Sequence, residues 1–136
     1  MTLPELDYAY LADFAQVSDG KLTAVGASFT HMLVVALGEP KPLFLAGRIR
    51  VAENSEPLEV GIKVSGPDNT FTIEASFVMG AGPNQLAYDG KVGLLFAAGM
   101  TVPLVAEGLY EVILSVQHAP VRRLAFSVNV QGSSAQ

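Results

Sequence analysis

The sequence has no cysteine and no tryptophan, only two histidines, and few charges of either sign. Without cysteine there is no disulfide framework, no thiolate metal site and no thiol nucleophile. With only His31 and His118 available, a zinc site would need both rings plus carboxylates, and nothing in the spacing brings them together. Lysine and arginine number 8 against 13 acids, for a formal net charge of −5. Phosphate contacts need clustered basic residues, so nucleic acid is not an expected partner. No run of about eighteen apolar residues is present, so no membrane-spanning helix is expected. The start, from Met1 to Tyr10, lacks a basic segment followed by a long apolar one. The expectation is therefore no signal peptide, no membrane partner and a cytoplasmic location.

What is present is apolar. Hydrophobic residues make up 50% of the chain and charged residues 15%, against roughly 25% charged in an average soluble domain. Two readings fit: a compact β-sandwich rich in small apolar residues, or a surface partly buried against copies or partners. At 136 residues the chain is the size of one domain with a sizeable core. Residues 1–130 are expected to form it, and the polar stretch 131–136 a flexible tail.

Strand patterns dominate. From Leu58 to Ser65 apolar and polar residues alternate, with Leu58, Val60, Ile62 and Val64 on one face. Phe71, Ile73, Ala75, Phe77 and Met79 repeat that pattern after the turn-forming Gly66-Pro67-Asp68-Asn69. Leu43, Leu45, Ile49 and Val51 share one face, and Phe44, Ala46, Arg48 and Arg50 the other. Further runs put Val92, Leu94, Phe96 and Ala98 inward, then Tyr110, Val112, Leu114 and Val116, then Leu124, Phe126, Val128 and Val130. The last two runs form a hairpin across Gln117–Pro120. Turn signals every 8–14 residues predict an antiparallel β-sandwich of about seven to nine strands. The longest irregular stretch, Gly80–Gly90, is the expected mobile loop. The N-terminal segment is ambiguous. Pro4 and Glu5 resemble a helix start, and Leu6, Tyr10, Phe14 and Val17 recur at helical spacing. A period-two reading of Tyr8–Val17 gives two mixed faces.

Ser18-Asp19-Gly20-Lys21 reads as a hairpin turn, because Asp-Gly supplies the positive φ angles of a type I′ turn at low cost. The pattern Ala12-Asp13-x-Ala15, Ser18-Asp19-Gly20-Lys21-Leu22 and Gly26-Ala27, followed by Val102-Pro103 and Gly108-x-Tyr110, resembles a family of short, mainly actinobacterial proteins of uncharacterised function. The resemblance covers most of the chain. It implies an immunoglobulin-like sandwich with the N-terminal segment as a strand, and it brings no activity to transfer. Tyr110, after Gly108, is expected to pack its ring inward while its hydroxyl finds a backbone partner.

Few constellations carry chemistry. Gly26-Ala27-Ser28-Phe29-Thr30 misses the Gly-x-Ser-x-Gly elbow at its last position and is expected in a strand. Gly80-Ala81-Gly82 runs into Pro83 and lacks the third glycine of a phosphate cradle. Asp13, among apolar neighbours, is expected to be partly buried. Arg48 and Arg50 are expected either to pair across strands with acids such as Glu74 or, with Phe44 and Arg122, to form a partner-contact patch. Asp68, Asn69, Tyr88 and Asp89 are the ligand-loop candidates. The chain thus reads as a non-enzymatic interaction module that self-associates or serves a larger assembly, and its size, acidity and low charge fit a phage-derived role. It needs no cofactor, and its partner is a protein or a second copy. The alternative is a small-ligand or glycan-binding module using loops at one end of the sandwich.

Overall fold

A computed structural model describes residues 3–82 and 85–132; of the expected tail, 133–136 lie outside the described residues, as do Pro83 and Asn84 of the expected mobile loop. Ten strands are present among the described residues: β1 (Glu5–Ala12), β2 (Phe14–Ser18), β3 (Lys21–Val25), β4 (His31–Val34), β5 (Pro40–Ala52), β6 (Leu58–Ser65), β7 (Thr72–Met79), β8 (Lys91–Pro103), β9 (Gly108–Val116) and β10 (Ala119–Val130). They form a three-stranded sheet in the order β1-β5-β8, a five-stranded sheet in the order β4-β10-β9-β6-β7, and the separate hairpin β2–β3. The fold is an all-β sandwich. One pair departs from the antiparallel expectation: β4 runs parallel to β10, with His31 opposite Ser127 and Val34 opposite Val130. No crossover helix is needed, because five strands, β5 to β9, are threaded between those two.

The inner faces follow period two. Leu43, Leu45, Ile49 and Val51 of β5 meet Val60, Ile62 and Val64 of β6 and Val112 and Leu114 of β9, all 2% exposed or less. Phe77 of β7 lies 6.2 Å from Phe96 of β8, which ties one edge of each sheet together. The β6–β7 hairpin forms as its alternation predicts, Leu58 opposite Met79 and Ser65 opposite Thr72. On β7, however, Ala75 is exposed and Ile73 and Phe77 are half-buried, because β7 is the last strand of its sheet.

The N-terminal segment is a strand, and its period is broken for a physical reason. Leu6 pairs with Ile49 and Tyr8 with Arg48, so Asp7 is a bulge. On either side of it Leu6, Ala9 and Leu11 face the main core, while Tyr10, which follows Leu6 at helical spacing, packs against the second core on the other face. After β1 the chain bends at Asp13 and β2–β3 folds back over the outer face of the three-stranded sheet. Ala12, Ala15 and Ala46 pack there as a second, small core with Leu22, Ala24 and Phe44 around them. Asp19 (φ 56°) and Gly20 (φ 70°) make the two-residue turn between β2 and β3, with Ser18 opposite Lys21.

Asp13 is exposed, contrary to expectation: its carboxylate lies over Gly26, whose missing side chain leaves it room. Ser28 also departs from expectation. It sits in the loop between β3 and β4 with φ 65°, its N–H donating to the Leu11 carbonyl at 2.6 Å.

Tyr110 behaves as its sequence context predicts. Its ring is fully buried against Phe126 at 5.2 Å, its hydroxyl donates to the Ala106 carbonyl at 2.7 Å, and the Ala106 N–H donates back at 3.3 Å. Tyr110→Phe keeps the ring and strands both Ala106 groups. Urea unfolding should show a loss of about 1–2 kcal/mol with an unchanged slope.

Candidate functional site

The two ends of the three-stranded sheet's outer face have different fates. At one end Phe44 lies against Gly99 on one side and the Phe14 ring, 5.3 Å away, on the other. The β2–β3 hairpin therefore takes Phe44 as an internal contact, which withdraws it from the candidate partner patch. At the other end the face is uncovered, and there the chain gathers Asp7 and Tyr8 of β1, Arg48 and Arg50 of β5, Tyr88 just before β8 and Lys91 at its start, with Tyr10, packed against the small alanine core, at the boundary.

Local geometry builds this face. Arg48 and Arg50 are two residues apart on a strand, so they project from the same side. The bulge turns Asp7 to that side as well. Its Oδ2 accepts from both Nε and an Nη of Arg48 at 2.7 Å, while its Oδ1 lies 3.8 Å from an Nη of Arg50. The expected cross-strand pairing is therefore present, but the acid is Asp7; Glu74 lies across from Lys63 in the other sheet. Tyr88 arrives by a tight turn, Asp89 (φ 50°) and Gly90 (φ 78°), closed by reciprocal backbone bonds with Lys91 at 2.7 and 2.9 Å. Its ring centroid lies 6.0 Å from Arg48 Cζ and 5.7 Å from Arg50 Cζ, and the Tyr8 ring lies 5.2 Å from Arg48 Cζ. Both guanidiniums are thus held against aromatic rings, a favourable cation–π arrangement. Tyr8 and Tyr10 stack at 6.2 Å.

The electrostatics are uneven between the two arginines. Hydrogen bonding to Asp7 holds the Arg48 guanidinium above its usual pKa. Arg50 has no such close bond, and its Nε is shielded from solvent without a hydrogen-bond partner among the described residues. Its donors are therefore only partly used. At the rim Lys91 Nζ donates to Glu5 at 2.6 Å, and that bond holds the Glu5 carboxyl below its ordinary range. Burial, followed by the neighbouring Tyr8, raises the Tyr10 hydroxyl pKa. Arg48, Arg50 and Lys91 are matched on this face by the carboxylates of Asp7 and Glu5.

The remaining candidates lie elsewhere. Arg122 is exposed on β10, in the other sheet, and its neighbour Arg123 pairs with Glu111. Asp68 (φ 52°) and Asn69 (φ 56°) form the β6–β7 turn, at the Ser65 end of β6. Tyr88 and Asp89 sit at the Leu58 end, since the loop that holds them runs from Met79, opposite Leu58, to Lys91, opposite Ala52. The four ligand-loop residues therefore occupy opposite ends of the sandwich. His31 is exposed beside Thr30 at 3.0 Å, and His118 is exposed with Nε2 3.2 Å from Glu59.

No protein-family model matches the chain, and no curated protein matches it. The site must be read from its own chemistry. Asp7, Tyr8 and Tyr10 were not singled out from sequence. The period-two Tyr8-x-Tyr10 pair was a usable signal, but Asp7 was hidden by the bulge that breaks the alternation around it.

Proposed function

We propose that this protein is a non-enzymatic interaction module whose contact surface is the uncovered half of the three-stranded sheet: Tyr8, Tyr10, Arg48, Arg50 and Tyr88. The observation that carries the reading is that tyrosine and arginine, the side chains most enriched among the energetic centres of protein interfaces, are preassembled there on rigid strands. The partner is a protein that presents a carboxylate. Arg48 is committed to Asp7 at 2.7 Å, while Arg50 stands farther from that carboxylate, at 3.8 Å, beside the Tyr88 ring. An accessory role in a larger cytoplasmic assembly fits this chemistry and the low overall charge. The small-ligand reading has less support, because its four loop residues are split between the two ends.

The family resemblance stays part of this proposal, with the immunoglobulin-like topology it implies. Two features support that topology. The orders β1-β5-β8 and β10-β9-β6-β7 parallel A-B-E and G-F-C-C′ of such sandwiches, and the Tyr110 hydroxyl bonds backbone four residues upstream, as in their tyrosine corner.

The test is quantitative capture from the source cell with wild type and with Arg50→Gln/Tyr88→Ala, which leaves the Arg48–Asp7 pair intact. The double variant should bind the captured protein at least about 2 kcal/mol more weakly with an unchanged melting temperature. Equal capture by both proteins would remove this face from consideration.

A further inference from the structure

We infer that a second copy of this chain pairs with the open edge of β7, in antiparallel register about Ala75, and that the five-stranded sheet continues across a two-fold axis into its copy. This surface is separate from the tyrosine–arginine face, and the inference does not rest on that reading.

The edges of the two sheets are not equally defended. β1 is interrupted by the bulge at Asp7, β4 has four residues, and β8 carries Lys91, Gly93, Gly99 and Pro103. β7 has eight residues with no proline, glycine, lysine, arginine or bulge, and Glu74 is its one charge. Proteins that remain monomeric block such edges with these very devices.

The backbone fixes which groups are free. The Gly66 N–H donates to the Phe71 carbonyl at 3.0 Å, so Gly66–Phe71 lies at a hydrogen-bonded position of the ladder. Alternation along an antiparallel pair then directs the N–H and C=O groups of Ile73, Ala75, Phe77 and Met79 toward β6. Those of Thr72, Glu74, Ser76 and Val78 point outward, where no strand pairs with them among the described residues.

Self-pairing must also keep outer-face side chains beside outer-face side chains, which restricts the axis to a residue position. With the axis at Ala75, Thr72 pairs with Val78 of the second copy and Glu74 with Ser76. All four open residues are then used in both copies, Ile73 faces Phe77 across the inner side, and the two Glu74 carboxylates are diagonal rather than directly opposite. An axis at Glu74 would set two carboxylates directly opposite each other, which is unfavourable. An axis at Ser76 would place Thr72 opposite Gly80, beyond the strand. The Ala75 register also covers apolar groups that β7 leaves exposed or half-exposed, Ala75, Ile73 and Phe77 on one face and Val78 on the other.

Ala75 then becomes a non-hydrogen-bonded pair with itself, with Cα atoms about 4.5 Å apart, within reach of a disulfide. The chain has no cysteine of its own, so Ala75→Cys carries a single thiol. Light scattering should give the wild type twice the 14.3 kDa chain mass. Mild oxidation should convert Ala75→Cys to a reducible covalent dimer, while Ser55→Cys, on the β5–β6 loop, stays monomeric on a non-reducing gel. Ala75→Lys, at an exposed position, places two ammonium groups in opposition only in the pair. It should run at the chain mass while melting as a cooperative, folded protein. A wild type at the chain mass at every concentration overturns the inference. So does a dimer that Ala75→Cys does not cross-link, or one that Ala75→Lys leaves intact.

Discussion

Replacing Phe126 by alanine is expected to cost about 3–5 kcal/mol. Its ring is 1% exposed and is held on two sides, stacked on Tyr110 at 5.2 Å and edge-on to Phe29 at 5.7 Å. Truncation removes the transfer energy of the ring and the aromatic contacts together. The cavity cannot close easily, because Tyr110 is anchored through its hydroxyl to Ala106 and its ring cannot slide in without breaking that bond. A domain of this kind has a total stability of about 5–15 kcal/mol, so one substitution removes a large share of it. Denaturant unfolding should show the midpoint falling sharply. Phe126→Leu, which keeps most of the volume, should lose clearly less.

Gly47→Ala is also expected to be damaging, although it adds only a methyl group. Gly47 lies at the middle of β5, between Ala9 of β1 and Phe96 of β8. A Cβ there would fall inside contact distance of the Tyr8 carbonyl and 3.0 Å from both the Ala9 Cα and the Phe96 ring. Two of those three neighbours are backbone, so the strands themselves must separate. Overpacking of this sort costs about 1–3 kcal/mol and more where backbone is displaced. Gly61→Ala supplies the contrast. The nearest atom to its added Cβ is Ser115 Cβ at 3.8 Å, an ordinary contact, so alanine should be neutral or add about 0.4–1 kcal/mol by restricting the unfolded chain. Thermal melts of the two variants should move in opposite directions. Equal losses would mean that the strand interior rejects alanine generally rather than at the one crowded site.

Both substitutions separate what was readable in the chain from what was not. Phe126 was assigned inward from alternation alone. The crowding at Gly47 was invisible, because it depends on how closely β1 approaches β5 beside the Asp7 bulge. The same division runs through the candidate site. Arg48 and Arg50 share a face by period two, and that much was legible. Their partner is Asp7 rather than Glu74, since a bulge and a strand pairing across more than forty residues bring it there. From sequence Tyr88 is a ligand-loop candidate, with nothing to tie it to the arginines. The tight turn at Asp89-Gly90 swings it back over both guanidiniums. Phe44 was grouped with the arginines because it shares their face, yet the neighbouring hairpin covers it.

Sequence by itself determined the class of fold, the inward face of nearly every long strand, the turn at Asp19-Gly20 and the existence of the C-terminal hairpin. These depend on local sterics and on the two-residue repeat of an extended chain, which operate within a few residues. Tertiary structure decided the rest. It set the parallel pairing of β4 with β10, the folding of β2–β3 over half of one sheet, the opposite ends to which the loops fall, and the exposure of β7. Each of these depends on which strand lies beside which. That choice rests on long-range packing of apolar faces that look alike one strand at a time, so it cannot be made within any one of them.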